Sequence, residues 1–200
     1  MNFIQTESKT PLATLGLALA SSLGIIAISS PAYSFNVNLS TFDSIGDVIN
    51  SNTTINSGSN PPTVITGGGT GSLEEFLGFT PGDFDSVIPG NTYGSAIKKI
   101  FLSLNAGDQF SFDWNFSTSD SDQAFVSIGN AIQVLSGSNP YSYIFATSGN
   151  YQVAMGVLDV NDSTGLSTLT LSNVQLVPEP ISILGSLIAL GFGGILKRKF

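Results

Sequence analysis

The chain has 200 residues, with 14 Asp and Glu against 6 Lys and Arg, and contains neither Cys nor His. Without Cys it has no disulfide scaffold, thiolate nucleophile or thiolate metal site, and without His it has no Ser-His-Asp triad. Residues 35–177 carry 12 acidic side chains against Lys98 and Lys99, a formal charge of −10, which excludes a nucleic acid held through Lys and Arg contacts to phosphate.

The first element in chain order is a weakly basic start with Lys9, an apolar run over residues 12–28, and the sequence SSPAYS before Phe35. Small residues at Ala32 and Ser34 suit the third and first places before a signal-peptidase cut. The pattern therefore predicts a signal peptide over residues 1–34, cleaved between Ser34 and Phe35. General secretion machinery and signal peptidase are the partners this implies.

Residues 35–72 follow as an N-terminal strand and a long polar loop. Phe35, Val37 and Leu39 alternate with Asn36, Asn38 and Ser40, as on a half-buried strand. Residues 51–72 are rich in Ser, Thr, Asn, Gly and Pro and read as loop or linker. Gly67, Gly68 and Gly69 lack the basic residue and strand–helix setting of a phosphate loop. The heptapeptide SLEEFLG predicts one short helix, with Ser72 as its N-cap, Glu74 and Glu75 in its first turn, and Gly78 as its stop.

From there to residue 176 the pattern is that of strands. A mixed apolar run covers residues 95–104, and Asn105, Ala106, Gly107 and Asp108 make a turn. Residues 109–116 then alternate without a fault. Phe110, Phe112, Trp114 and Phe116 fall on one face, and Ser111, Asp113 and Asn115 on the other. Further strands are expected at 123–128, 131–135, 141–146, 151–158 and 167–176. Short strands at this spacing with almost no helix give a mainly β class, an antiparallel β-sandwich or jelly roll over residues 73–176.

The last segment, residues 177–200, contains Pro178, Glu179 and Pro180, then 16 apolar or small residues over 181–196, then Lys197, Arg198 and Lys199. The apolar stretch approaches the roughly 20 residues of a membrane-spanning helix, with the basic cluster at its cytoplasmic end. This order resembles the PEP-CTERM sorting signal of bacterial exported proteins. The resemblance implies recognition of Pro178, Glu179 and Pro180 by an exosortase-type membrane enzyme, insertion of residues 181–196, and a stop at Lys197, Arg198 and Lys199.

The body is also similar to a β-sandwich domain common among exported PEP-CTERM proteins. That similarity is carried by Gly107, Asp108, Phe112, Asp113, Trp114, Asn115, Phe116, Asp159, Asp162, Asn173 and Val174. The body similarity implies the β-sandwich fold, while the two ends imply a protein of the cell envelope, cell surface or extracellular matrix, with a single-pass segment in its precursor.

Three functions compete. The leading expectation is a non-catalytic structural protein of the cell surface, sorted through its tail. The alternative is a carbohydrate-binding module, with extracellular polysaccharide as partner and Trp114, Tyr141 and Tyr143 as an aromatic platform. Asp113, Asp120, Asp122, Asp159 and Asp162 offer the hard oxygen ligands that calcium accepts, beside a competing role as turn formers. The third is a glycan hydrolase, which needs two carboxylates across a cleft; no local motif selects such a pair, and the expectation is that the chain is not an enzyme.

Overall fold

The computed structural model describes residues 33–58, 64–137, 139–161 and 165–179. The faultless alternation of residues 109–116 produces strand β7 (Gln109–Ser117), whose inner face buries Phe110 and Phe112 completely. Its neighbour β12 (Leu166–Val177) places Leu169 opposite Phe116 and Leu171 opposite Trp114. Around this pair an antiparallel sheet forms in the order β10-β7-β12-β4-β3, with β1 (Phe35–Asn36) on the far end of β12. Its other members are β3 (Asp47–Ile49), β4 (Thr54–Gly58) and β10 (Tyr141–Ile144).

A second antiparallel sheet packs against the first, in the order β2-β6-β11-β8-β9 with β5 on β6. It comprises β2 (Asp43–Ile45), β5 (Val64–Ile65), β6 (Asn91–Leu104), β8 (Gln123–Ile128), β9 (Ala131–Val134) and β11 (Gly149–Val160). Ile97, Phe101, Val126, Val153, Met155 and Val157 face Ile55, Phe110, Phe112, Leu169 and Leu171 across the core. Each such side chain contributes about 1.5–3 kcal/mol when taken fully from water. Rings run in contact through the core from Phe42 to Phe101, Phe110, Phe112 and Tyr141, with centroids 5.0–6.2 Å apart.

The outer face of the second sheet is roofed by two short helices, α1 (Leu73–Leu77) and α2 (Asp83–Val87). Leu73, Leu77, Phe79, Phe84 and Ile88 pack there with Ala96, Phe125, Ala154 and Leu158. Close approach demands small residues below: a Cβ on Gly156 would come within 2.5 Å of both the Phe125 ring and the Ser95 carbonyl. The helix expected from SLEEFLG is α1. Ser72 caps it by accepting from the Glu75 N–H at 3.1 Å, and Gly78 ends it at φ +75°.

The antiparallel sandwich agrees with the expected class, but its surroundings correct the sequence reading. Phe35 and Asn36 pair with Leu176 and Gln175, and the chain then turns through a 3-10 segment (Leu39–Thr41) rather than continuing as a strand. The stretch read as polar linker contains β4, which lies inside the first sheet between β12 and β3. The flanking helices expected from the sequence are also corrected. Among the described residues no helix is long and apolar enough to cross a membrane. The expected signal peptide and the expected span at 181–196 lie outside the described residues, except for Tyr33 and Ser34, which are exposed chain ahead of β1.

Candidate functional site

Strand β10 is the edge of the first sheet, and β9 is the edge of the second on the corresponding side. Tyr141 pairs with Phe112 and Tyr143 with Phe110, so both tyrosines share the inner face with those phenylalanines. Because β10 has no neighbour beyond it among the described residues, both tyrosines are half-buried instead of enclosed. Trp114 lies two residues beyond Phe112 on the same face, diagonal to Tyr141, and is also half-buried. The three aromatic residues proposed from sequence are thus gathered on one side of the sandwich.

Polar groups surround them. The Tyr141 hydroxyl donates to Gln133 Oε1 at 3.5 Å, spanning from the edge of one sheet to the edge of the other. Asn139 continues the ladder where β10 has not begun. Its Oδ1 accepts from the Trp114 N–H at 3.2 Å, and its Nδ2 donates to the Trp114 carbonyl at 2.7 Å. The Trp114 Nε1 atom is buried without a partner among the described residues. Burial raises the Tyr141 pKa above its ordinary value, and the neighbouring Tyr143 adds to the rise, so the hydroxyl remains a donor well into alkaline solution. Gln133 and Asn139 were not expected from the sequence, because only the facing of β9 and β10 reveals them.

The aspartates named as calcium ligands are divided by the fold. Asp113 projects from the outer face of the first sheet and accepts from Asn173 Nδ2 at 2.5 Å. Asp120 and Asp122 belong to the turn between β7 and β8. Asp120 Oδ1 accepts from the Thr118 hydroxyl at 2.9 Å and from the Asp122 N–H at 3.2 Å. The Thr118 bond is the first cause of a lowered Asp120 pKa. Asp122 is buried, accepting from Ser57 Oγ and from the Val160 N–H. Asp159 is buried beside Thr92, and Asp162 lies outside the described residues. Among the described residues no group of three or more acidic side chains is arranged to hold a metal.

The tail motif is placed in a way the sequence did not suggest. The Glu179 N–H donates to Asp108 Oδ1 at 2.9 Å, while Asp108 Oδ2 accepts from the Asn105 N–H at 2.9 Å. The Glu179 side chain lies so near Gly107 that a Cβ there would come within 2.5 Å of its carboxylate carbon. Glu179 is thus bonded to the turn that leads into β7. Pro180, Lys197, Arg198 and Lys199 lie outside the described residues, as does Ala32; Phe35 opens β1.

Comparison with known proteins corrects the family reading. No family model matches the chain, and no curated protein matches it. Among solved structures, "Structure of TmCBM61 in complex with beta-1,4-galactotriose" is matched at 9% identity and a TM-score of 0.31, over 45% of this chain and 66% of that one. A likeness at that score carries no argument about the site. The PEP-CTERM resemblance does not hold, nor do the sorted surface protein, the exosortase partner and the membrane-anchored localisation that went with it, nor the signal-peptidase and secretion partners expected from the N-terminal pattern. No family model matches the chain, and no helix among the described residues is long and apolar enough to cross a membrane.

Proposed function

We propose that the protein is a non-catalytic carbohydrate-binding β-sandwich that holds a glycan along its open side, over Tyr141, Tyr143 and Trp114. The supporting observation is the partial exposure of all three residues on one inner face, at a strand edge that nothing covers among the described residues. Full burial would make them core, and full outward projection would leave them unsupported. Here Tyr141 leans on Phe112 at 5.0 Å and Tyr143 on Phe145 at 5.2 Å, so each ring is held in place while part of it meets solvent. Sugar rings present C–H faces that pack on such surfaces, and their hydroxyls bond the flanking groups. Gln133 and the Tyr143 hydroxyl are suited to that second task, the latter having no hydrogen-bond partner among the described residues.

Trp114 is the sole tryptophan of the chain, so its emission reports from the site itself. The test is affinity electrophoresis of the full chain through gels containing soluble polysaccharides, β-1,4-galactan among them, with tryptophan emission followed in parallel. Retardation with a shift in emission is expected for at least one polymer. The double variant Tyr141→Ala, Tyr143→Ala is expected to lose about tenfold in affinity, corresponding to roughly 1.4 kcal/mol. Retardation that is unchanged in this variant would move the binding surface elsewhere, and no retardation on any polymer would remove the glycan reading.

A further inference from the structure

We infer that the glycan taken by this site is uncharged, and that the fold itself selects against polysaccharides bearing carboxylate or sulfate. This rests on the glycan-binding reading and adds the chemical class of the ligand. An anionic sugar that leaves water needs a cation or a set of charge-matched donors to replace its hydration, or its desolvation is uncompensated.

The location of the basic side chains supplies the argument. Lys98 and Lys99 are the only basic residues between positions 33 and 179. Both are on β6, in the second sheet, whose neighbour β2 forms the margin opposite β9. Neither side chain is free. The Lys98 ammonium donates to the Phe76 carbonyl and sits 4.3 Å from the centre of the Phe76 ring. The Lys99 ammonium donates to Thr41 Oγ1 at 2.6 Å and lies 5.7 Å from the centre of the Phe42 ring. Each cation is thus spent on the β2 side of the molecule, against carbonyl, hydroxyl and aromatic partners.

The side with the aromatic rings has the opposite character. Its polar groups are the amides of Gln133 and Asn139 and the tyrosine hydroxyls, which are neutral. The nearest ionised group along β7 is Asp113, one residue from Trp114 on the reverse face of the strand. Among the described residues an acidic polymer approaching here meets no positive side chain, and the surplus acidic charge of residues 35–177 repels it over a screening length of about 8 Å at physiological salt. A neutral chain meets none of these penalties and keeps the ring stacking and the amide bonds.

The test uses the full chain and two panels at about 0.15 M salt. The first holds neutral galactan, xylan, mixed-linkage glucan and mannan; the second holds alginate, polygalacturonate and hyaluronate. Retardation is expected in the first panel alone. The neutral polymer that binds best is then carboxymethylated, and its affinity is expected to fall at least tenfold, with a partial return at higher salt. Binding confined to the anionic panel, or affinity unchanged by carboxymethylation, overturns the inference while leaving a glycan-binding protein. Absence of binding in both panels overturns the inference and the glycan reading together.

Discussion

Ser57 donates its hydroxyl proton to Asp122 across 65 positions of sequence, and the pair closes one end of the sandwich with a fully engaged carboxylate. The second oxygen of Asp122 accepts from the Val160 N–H at 3.1 Å, so β4, the β7–β8 turn and the end of β11 meet at one side chain. Beside it Ser167 donates to Thr118 Oγ1 at 2.7 Å, and both serines are wholly buried. The apolar core therefore ends in a small polar seal whose members satisfy one another.

Replacing Asp122 with Ala leaves a buried hydroxyl and a buried N–H without acceptors. Each such group costs about 1–3 kcal/mol, so a loss of about 2–6 kcal/mol of folding stability is expected. Asp122→Asn retains an acceptor and is expected to lose less than half of that. Urea unfolding of both variants, with unchanged slope, measures the difference. A loss below about 0.5 kcal/mol in Asp122→Ala would mean that this end of the sandwich is open to water.

Glu74 is buried to 1% exposure and acts on a helix other than its own. Gly82, which precedes α2, offers no side chain to cap it. The Glu74 carboxylate takes that part, accepting from the Gly82 N–H at 3.0 Å and the Phe84 N–H at 3.0 Å. Glu74→Ala is expected to cost about 2–4 kcal/mol and to loosen α2 from Phe125, where Phe84 is in edge contact at 4.9 Å. Amide exchange should accelerate at Phe84–Ile88 before it does in β11. Uniform acceleration across both would show that the roof and the sheet unfold as one unit.

Much of this architecture was legible where local chemistry and burial agree. Strand β7 alternates because one face meets the core and the other meets water, and α1 carries its own start and stop in Ser72 and Gly78. Strand β4 was misread because Ile55 is its one apolar residue between Thr54, Asn56 and Ser57. Asn56 and Ser57 are buried by pairing: Asn56 donates to Asp47 and accepts from Thr168, and Ser57 reaches Asp122. Composition cannot distinguish such a strand from a loop, since its partners are distant in sequence. The same limit hid Gln133 and Asn139, while the alternation of Tyr141 and Tyr143 placed them correctly on one face. The apolar and basic pattern of the tail gave no hint that Glu179 is bonded to Asp108.

Ser127 provides a contrasting case on β8. Its side chain is wholly buried, and its Oγ has no hydrogen-bond partner among the described residues. The hydroxyl was desolvated on folding without compensation, so its removal relieves a cost instead of breaking a contact. Ser127→Ala is expected to leave stability unchanged or to raise it by up to about 1 kcal/mol in urea unfolding. A loss above about 1 kcal/mol would show that the oxygen is bonded in solution.

Tyr141 gives the site a signature at alkaline pH. Burial is the first cause of its raised pKa, and the charge that Tyr143 acquires on ionising is the second. An unfolded tyrosine ionises near its model value of 10.0, whereas the folded group ionises later. The neutral phenol is thus favoured in the native state. Its contribution to stability is fully present below pH 10 and is lost as pH rises through the folded pKa. In an ultraviolet titration of tyrosinate, Tyr141→Phe should remove a component that ionises above pH 10. Tyr143→Phe should bring that component partway back toward pH 10, because burial persists when the neighbouring charge is removed. A glycan that binds over both rings excludes more water and should delay the ionisation further. Saturating ligand that leaves the Tyr141 component unmoved would place the glycan away from this edge.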